Sequence, residues 1–149
     1  MTLVQLRVAD PRSGAFRGEA ARVLRLQGGP QPGWGERAEE DLDPAGAGPY
    51  DAWIRATDEE GRLLGGALLL DWRLPGEARS RPLLLALWVA PEVRSRGLGR
   101  RLARKAQEVA RERGARELVA LVPPDDDAAV YWSERLGFSR ELFVVSLAL

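Results

Sequence analysis

The 149 residues carry 22 basic and 22 acidic side chains, with 45% hydrophobic and 30% charged residues and neither cysteine nor histidine. That length suits one domain, residues 1–149, around one sizeable core. Zero net charge gives no global field for nucleic acid or a membrane surface, and the missing Cys and His exclude disulfides, thiolate nucleophiles and the commonest general base and metal ligand. No metal is expected, and proton transfer falls to carboxylates, Tyr, Ser or water. The first residues, Met1-Thr2-Leu3-Val4-Gln5, show no signal-peptide pattern, and no apolar run reaches bilayer-spanning length, which points to the cytoplasm. Asparagine is absent and Lys105 is the only lysine. That usage fits either a heat-adapted protein or a GC-rich genome.

Taken in order, residues 3–8 alternate in polarity and predict a strand. Asp10-Pro11 opens a predicted helix that runs to about Leu26, with Phe16, Ala20, Val23 and Leu24 on one face. The Gly/Pro-rich residues 28–35 stop it. Trp34, in that loop, reads as a cap on the core or, alternatively, as a substrate contact. The acidic residues 36–43 predict a second short helix before Gly and Pro break the chain again at 44–49. This segment would attract a cationic amine, although a charge run is more often a solvated face. Strands are predicted at 52–57 and 63–72, joined by a turn that ends in Gly61. Gly65-Gly66 inside the second strand predicts a bulge or a close approach by another group.

Residues 83–89 are apolar on both faces and predict a central strand. Leu98, Leu102, Ala106, Val109, Ala110 and Arg113 recur at spacings of three and four, so an amphipathic helix over 98–113 is expected, with Gly114 just past its end. A buried strand follows at 118–122. Strand, crossover helix, strand implies a parallel pair. Asp125-Asp126-Asp127 opens another helix, where acids suit the dipole and serve better as a cap than as a metal site. Gly137 ends that helix, with Phe138 buried after it. Residues 142–149 are expected to close the sheet. The stretch 143–149 is apolar on both faces and hazardous as an open edge, which suggests a homodimer through that region.

The most informative stretch is Arg94-Ser95-Arg96-Gly97-Leu98-Gly99, a Gly-rich turn between the central strand and the amphipathic helix. Glycines let backbone approach a ligand closely, and a helix start offers free N–H groups and a positive dipole end to an anion. Helices favour acids in their first turn, yet here Arg100, Arg101 and Arg104 follow Arg94 and Arg96. A bound polyanion would offset these like charges; the plainer explanation is that the chain uses arginine everywhere. The spacing matches neither GxGxxG nor GxxxxGK[ST], so neither a dinucleotide fold nor a nucleoside-triphosphate loop is indicated.

Arg-x-x-Gly-x-Gly after Leu87-Trp88-Val89-Ala90-Pro91-Glu92-Val93 resembles the acyl-CoA-binding motif of the GNAT (GCN5-related N-acetyltransferase) superfamily. A second segment, Ala128-Ala129-Val130-Tyr131-Trp132-Ser133-Glu134-Arg135-Leu136-Gly137-Phe138, is similar to the family's downstream helix. The resemblance runs from about Leu63 to the end. It implies an α/β fold (α and β mixed): a mostly antiparallel central sheet, with a parallel pair splayed at the acyl-CoA site and helices on both faces. It implies an N-acetyltransferase with acetyl-CoA as co-substrate and a small-molecule or peptide amine as acceptor. Leu87, Trp88, Val89, Arg94, Ser95, Arg96, Gly97, Leu98, Gly99 and Arg100 would bind the cofactor. Many members place an acidic Tyr five residues before the Phe of the Leu-Gly-Phe ending, where this chain has Ser133. Tyr131 lies two residues away and faces another side of the helix. Ser133 and Tyr131 are therefore the candidate acids, and Glu92, Glu40 and Asp71 the candidate bases. An acyl-CoA sensor that no longer catalyses, and a structural protein whose arginines pair with acids such as Glu108 beside Arg104, are the alternatives.

Overall fold

The structure, a computed structural model, describes residues 3–27, 35–141, 145 and 147–149. Its order is β1 (Gln5–Ala9), α1 (Arg17–Gln27), α2 (Ala38–Asp41), β2 (Ala52–Thr57), β3 (Leu63–Trp72), β4 (Arg81–Val89), α3 (Leu98–Glu112), β5 (Val119–Ala120) and α4 (Asp127–Arg135), with single 3₁₀ turns at Pro44–Gly46 and Pro91–Val93. Among the described residues the sheet runs β1-β2-β3-β4-β5. The first four strands are antiparallel, and β4 and β5 are parallel. The mixed sheet and its parallel pair are those expected.

Side-chain alternation along the strands builds two cores. On one face Ala52, Ile54, Ala56, Ala67, Leu69 and Leu84 pack with Leu98, Leu102, Ala106 and Val109 of α3, and Trp132 of α4 joins them. On the other, Trp53, Leu68, Leu70 and Ala86 pack with Ala20, Ala21, Val23 and Leu24 of α1 and with Ala38 and Leu42. Helices therefore cover both faces. Leu84 and Ala86 are two residues apart yet face opposite sides. The cause is a bulge: Leu68 pairs with Ala86 and Leu69 with Leu84, which leaves Leu85 as the extra residue.

Several expected boundaries move, for local reasons. The first helix begins at Arg17 rather than Asp10. The Asp10 carboxylate accepts from the Arg12 N–H, and its carbonyl accepts from Ser13. Arg12 itself is buried, paired with Asp51 and donating to the carbonyls of Asp41 and Asp43. These bonds hold residues 10–16 in turns. Gly65-Gly66 marks a close approach: a Cβ on Gly65 would stand 2.7 Å from the Trp88 carbonyl oxygen, and one on Gly66 would enter the Trp53 ring. The nearby register shift leaves Leu64 extra between the partners of Ala56 and Thr57. The strand expected at 118–122 pairs only at Val119–Ala120. Phe138 is half-buried, stacked 6.3 Å from Trp132. Trp34 and the loop over 28–34 lie outside the described residues. So does half of the expected strand at 142–149, and the described residues there, Val145 and residues 147–149, are exposed and in no strand.

Candidate functional site

The parallel pairing of β4 with β5 is two residues long, Leu83 with Val119 and Leu84 with Ala120. It stops at the bulge. Beyond Leu84, β4 stays bonded to β3 as far as Val89 opposite Gly65, while β5 continues as unpaired Leu121 and Val122. The two chains part, and a cleft of about 820 Å³ opens between them, closed at one side by the start of α3 and at the other by α4.

Hydrogen bonding fixes which β4 groups face this cleft. Ala90 N–H donates to the Leu64 carbonyl at 2.8 Å, so the alternation turns Trp88 towards β3 and turns the N–H and C=O of Leu87 and Val89 to the free edge. The contacts agree: Leu87 N–H donates to Gln27 Oε1 at 2.7 Å, and the Val89 carbonyl accepts from Arg94 Nε at 3.0 Å.

The turn at 94–99 bends through two left-handed residues, Ser95 at φ 65° and Gly97 at φ 82°. Gly97 stands at the N-cap of α3 with no side-chain cap, and the first helix turn holds no acid. Arg101 N–H, bonded to the Gly97 carbonyl at 3.1 Å, is the first to find an acceptor there among the described residues. A Cβ added at Gly97 would meet no protein atom within 4 Å. The free amides of the turn and the glycine beside them therefore open on space large enough for a ligand.

Of the residues expected to bind a cofactor, Leu87, Trp88, Val89, Arg94, Ser95, Gly97, Leu98 and Gly99 line this one cleft. Arg96 and Arg100 are exposed and do not line it. Arg94, Arg96, Arg100, Arg101 and Arg104 enter no ion pair among the described residues; Glu108 pairs with Lys105 at 3.2 Å, not with Arg104.

The candidate acids and bases are placed differently. Ser133 is buried, its hydroxyl donating to the Val130 carbonyl at 2.8 Å. Tyr131 is 62% exposed, its hydroxyl accepting from Arg135. Glu92 is exposed in the 3₁₀ turn before Arg94. None of the three lines the cleft. Asp71 accepts from Tyr50 N–H at 2.6 Å and from the Ser80 hydroxyl at 3.1 Å, and so holds a loop. Glu40 pairs with Arg37 at the surface. The acidic helix α2 packs on α1, where Arg17 donates to the Glu39 carbonyl and Arg25 approaches Glu39 at 3.5 Å. Sequence reasoning missed the part of the cleft built by Gln27, Leu121 and Trp132. Gln27 offers no signal in the sequence, since it is one polar residue at a helix end.

A family model described as the acetyltransferase (GNAT) family matches residues 21–138. The chain belongs to the GNAT family. A mycothiol acetyltransferase of Rhodococcus opacus (strain B4) is 33% identical over 104 residues, 70% of this chain, and the chain spans about a third of that relative's length. Two solved structures share the GNAT fold. An aminoglycoside N-acetyltransferase, AAC(6')-Iy, in complex with CoA superposes with a TM-score of 0.72 at 20% identity, over 100% of this chain and 96% of that one. A GCN5-related N-acetyltransferase from Ralstonia eutropha JMP134 gives 0.72 at 19%, over 98% and 99%. The described helices contain none long and apolar enough to cross a membrane.

Proposed function

We propose that residues 1–149 act as one acyl-CoA-dependent N-acyltransferase domain, moving acetyl from acetyl-CoA to an amine. The observation that carries this reading is the splayed β4 edge beside an uncapped, acid-free helix start within one cleft. A diphosphate fits the free amides after Arg94 in this turn, since those N–H groups and the dipole end have no internal anion to satisfy them among the described residues. An extended chain bearing amides fits the open edge of Leu87 and Val89, where the Leu87 carbonyl and the Val89 N–H have no partner among the described residues and the other two groups are held only by the exposed side chains of Gln27 and Arg94. Acetyl-CoA would supply a thioester as the activated acyl group.

The protein's part is then positioning and charge stabilisation. Val89 N–H points to the free edge and is available to the oxygen on which charge develops when an amine adds to the thioester. Arg94, by holding the Val89 carbonyl, fixes the orientation of this peptide. The attacking amine sheds its proton to water, relayed to Glu92, the one of the three carboxylate candidates without an internal partner among the described residues. A thiol has a pKa near 8.5, so the leaving thiolate needs a hydrogen bond more than a strong acid.

A second reading, a GNAT domain that holds acyl-CoA without turnover, is favoured by one observation: Ser133 turns its hydroxyl into the helix backbone and Tyr131 faces solvent. One experiment separates them. Acetyl-CoA should raise the melting temperature, and thiol release should then appear with a member of a panel of small amines, polyamines and peptides. Stabilisation without release on any acceptor supports the sensor. An unchanged melting temperature at saturating acetyl-CoA rejects both.

A further inference from the structure

The contact between Gln27 and Leu87 joins residues 60 apart in sequence, at one of two places in the cleft where the open strand edge already has a partner among the described residues, the other being the Val89 carbonyl held by Arg94. Gln27 is the last residue of α1, and the helix is pinned behind it by fully buried Ala20, Ala21 and Val23. The backbone of Gln27 is thus anchored to the core while its side chain lies over the cleft. What it presents to Leu87 N–H is the oxygen of a primary carboxamide, chemically the same acceptor as an amide carbonyl of an extended ligand laid along β4. Leu26 and Gln27 both line the cleft, so the side chain stands in the space such a ligand would enter.

We propose that Gln27 is a ligand in cis: its carboxamide occupies the Leu87 N–H and must leave when an acyl-CoA amide takes that donor. The inference rests on the acyl-CoA reading of the cleft. It makes Gln27 an internal competitor that lowers cofactor affinity and keeps the β4 edge satisfied between turnovers. Because the bond is solvent-exposed, its net strength is that of an ordinary hydrogen bond, and the competition amounts to about two- to tenfold in affinity.

The test uses the full chain and two variants, Gln27→Met, which keeps the length and apolar stem, and Gln27→Ala. Calorimetric titration with acetyl-CoA should give dissociation constants about two- to tenfold lower for both variants than for wild type. In the free protein the Leu87 amide should exchange with solvent faster in both variants, and saturating acetyl-CoA should bring it to the same protection in all three. Equal or weaker binding by Gln27→Met overturns the proposal, because Gln27 would then be neutral or a direct cofactor contact. If wild type and both variants all fail to bind acetyl-CoA, the acyl-CoA reading falls and this inference with it. Binding by wild type with an unchanged variant affinity rejects the inference alone.

Discussion

Two helix N-termini face the same cleft, and they are built in opposite ways. At α4 the Asp126 carboxylate accepts from Ala129 N–H at 3.0 Å, and Asp127 adds an acid to the first turn. At α3 a left-handed glycine stands at the cap, no side chain among the described residues caps the free amides, and the first turn carries arginines. The rule for helix starts is obeyed at α4 and broken at α3, so the exception is local, not a habit of an arginine-rich chain. α1 obeys the rule too: Glu19 lies in its first turn and is held by Arg55 and by the Trp53 indole N–H at 2.8 Å. The difference is what the proposed anion site at the start of α3 requires, since local rules fail where function needs them to.

The comparison can be broken most severely by giving α3 the cap that α4 has. Gly97→Asp would place a carboxylate over the free amides and oppose an incoming diphosphate. Acetyl-CoA affinity should fall about 100-fold or more, since two or more hydrogen bonds to a charged group are lost. Titration calorimetry reads it; a Kd within a factor of three of wild type would mean the amides hold no anion. The reverse change, Asp126→Ala, removes the cap that α4 has. It should cost about 1 kcal/mol of stability, a drop of a few degrees in melting temperature, and should not weaken acetyl-CoA binding, since it removes a negative charge from the cleft lining.

The smallest effect is a pH dependence at α1. Burial alone would raise the Glu19 pKa, but hydrogen bonds from Arg55 and Trp53 and the charges of Arg55 and Arg22 outweigh it and lower it below the ordinary 4.5. A lowered folded pKa gives stability that is fully present above the unfolded value and is lost as pH falls through the folded one. Glu19→Gln should therefore be less stable than wild type at neutral pH, and the gap should narrow as pH falls below about 4.5. Denaturant melts at pH 7 and pH 3 check this, and a gap that widens on acidification contradicts it.

The elements around the cleft were legible in the sequence to different depths. Residues 52–57 and 63–72 matched β2 and β3 to the residue, because two short runs on either side of an acidic turn with Gly61 at its end mark a hairpin from local information. The helix from Leu98 matched as well, with Leu102, Ala106 and Val109 buried as its period requires. The Leu85 bulge left no mark, since a run of leucines reads alike with or without an extra residue. Yet that bulge flips the face of β4 and ends the parallel pairing that opens the cleft. Asp10 failed as a helix start because Arg12, two residues on, is drawn into a long-range ion pair with Asp51 that no local pattern reveals. Among the candidate site residues, the turn and strand positions depend on backbone geometry, and eight of the ten expected to bind a cofactor line the cleft. The acid and base candidates depend on where single side chains point, and Tyr131, Ser133 and Asp71 each point at a partner outside the cleft.

The central claim is that main-chain amides at the start of α3 receive a diphosphate. A crystal structure with bound coenzyme A tests it most directly. The account predicts diphosphate oxygens within hydrogen-bond distance of backbone N–H groups between Ser95 and Arg100, with the thiol end directed along Leu87 and Val89. Coenzyme A bound elsewhere, or a turn whose amides are taken by the protein's own side chains, would contradict it.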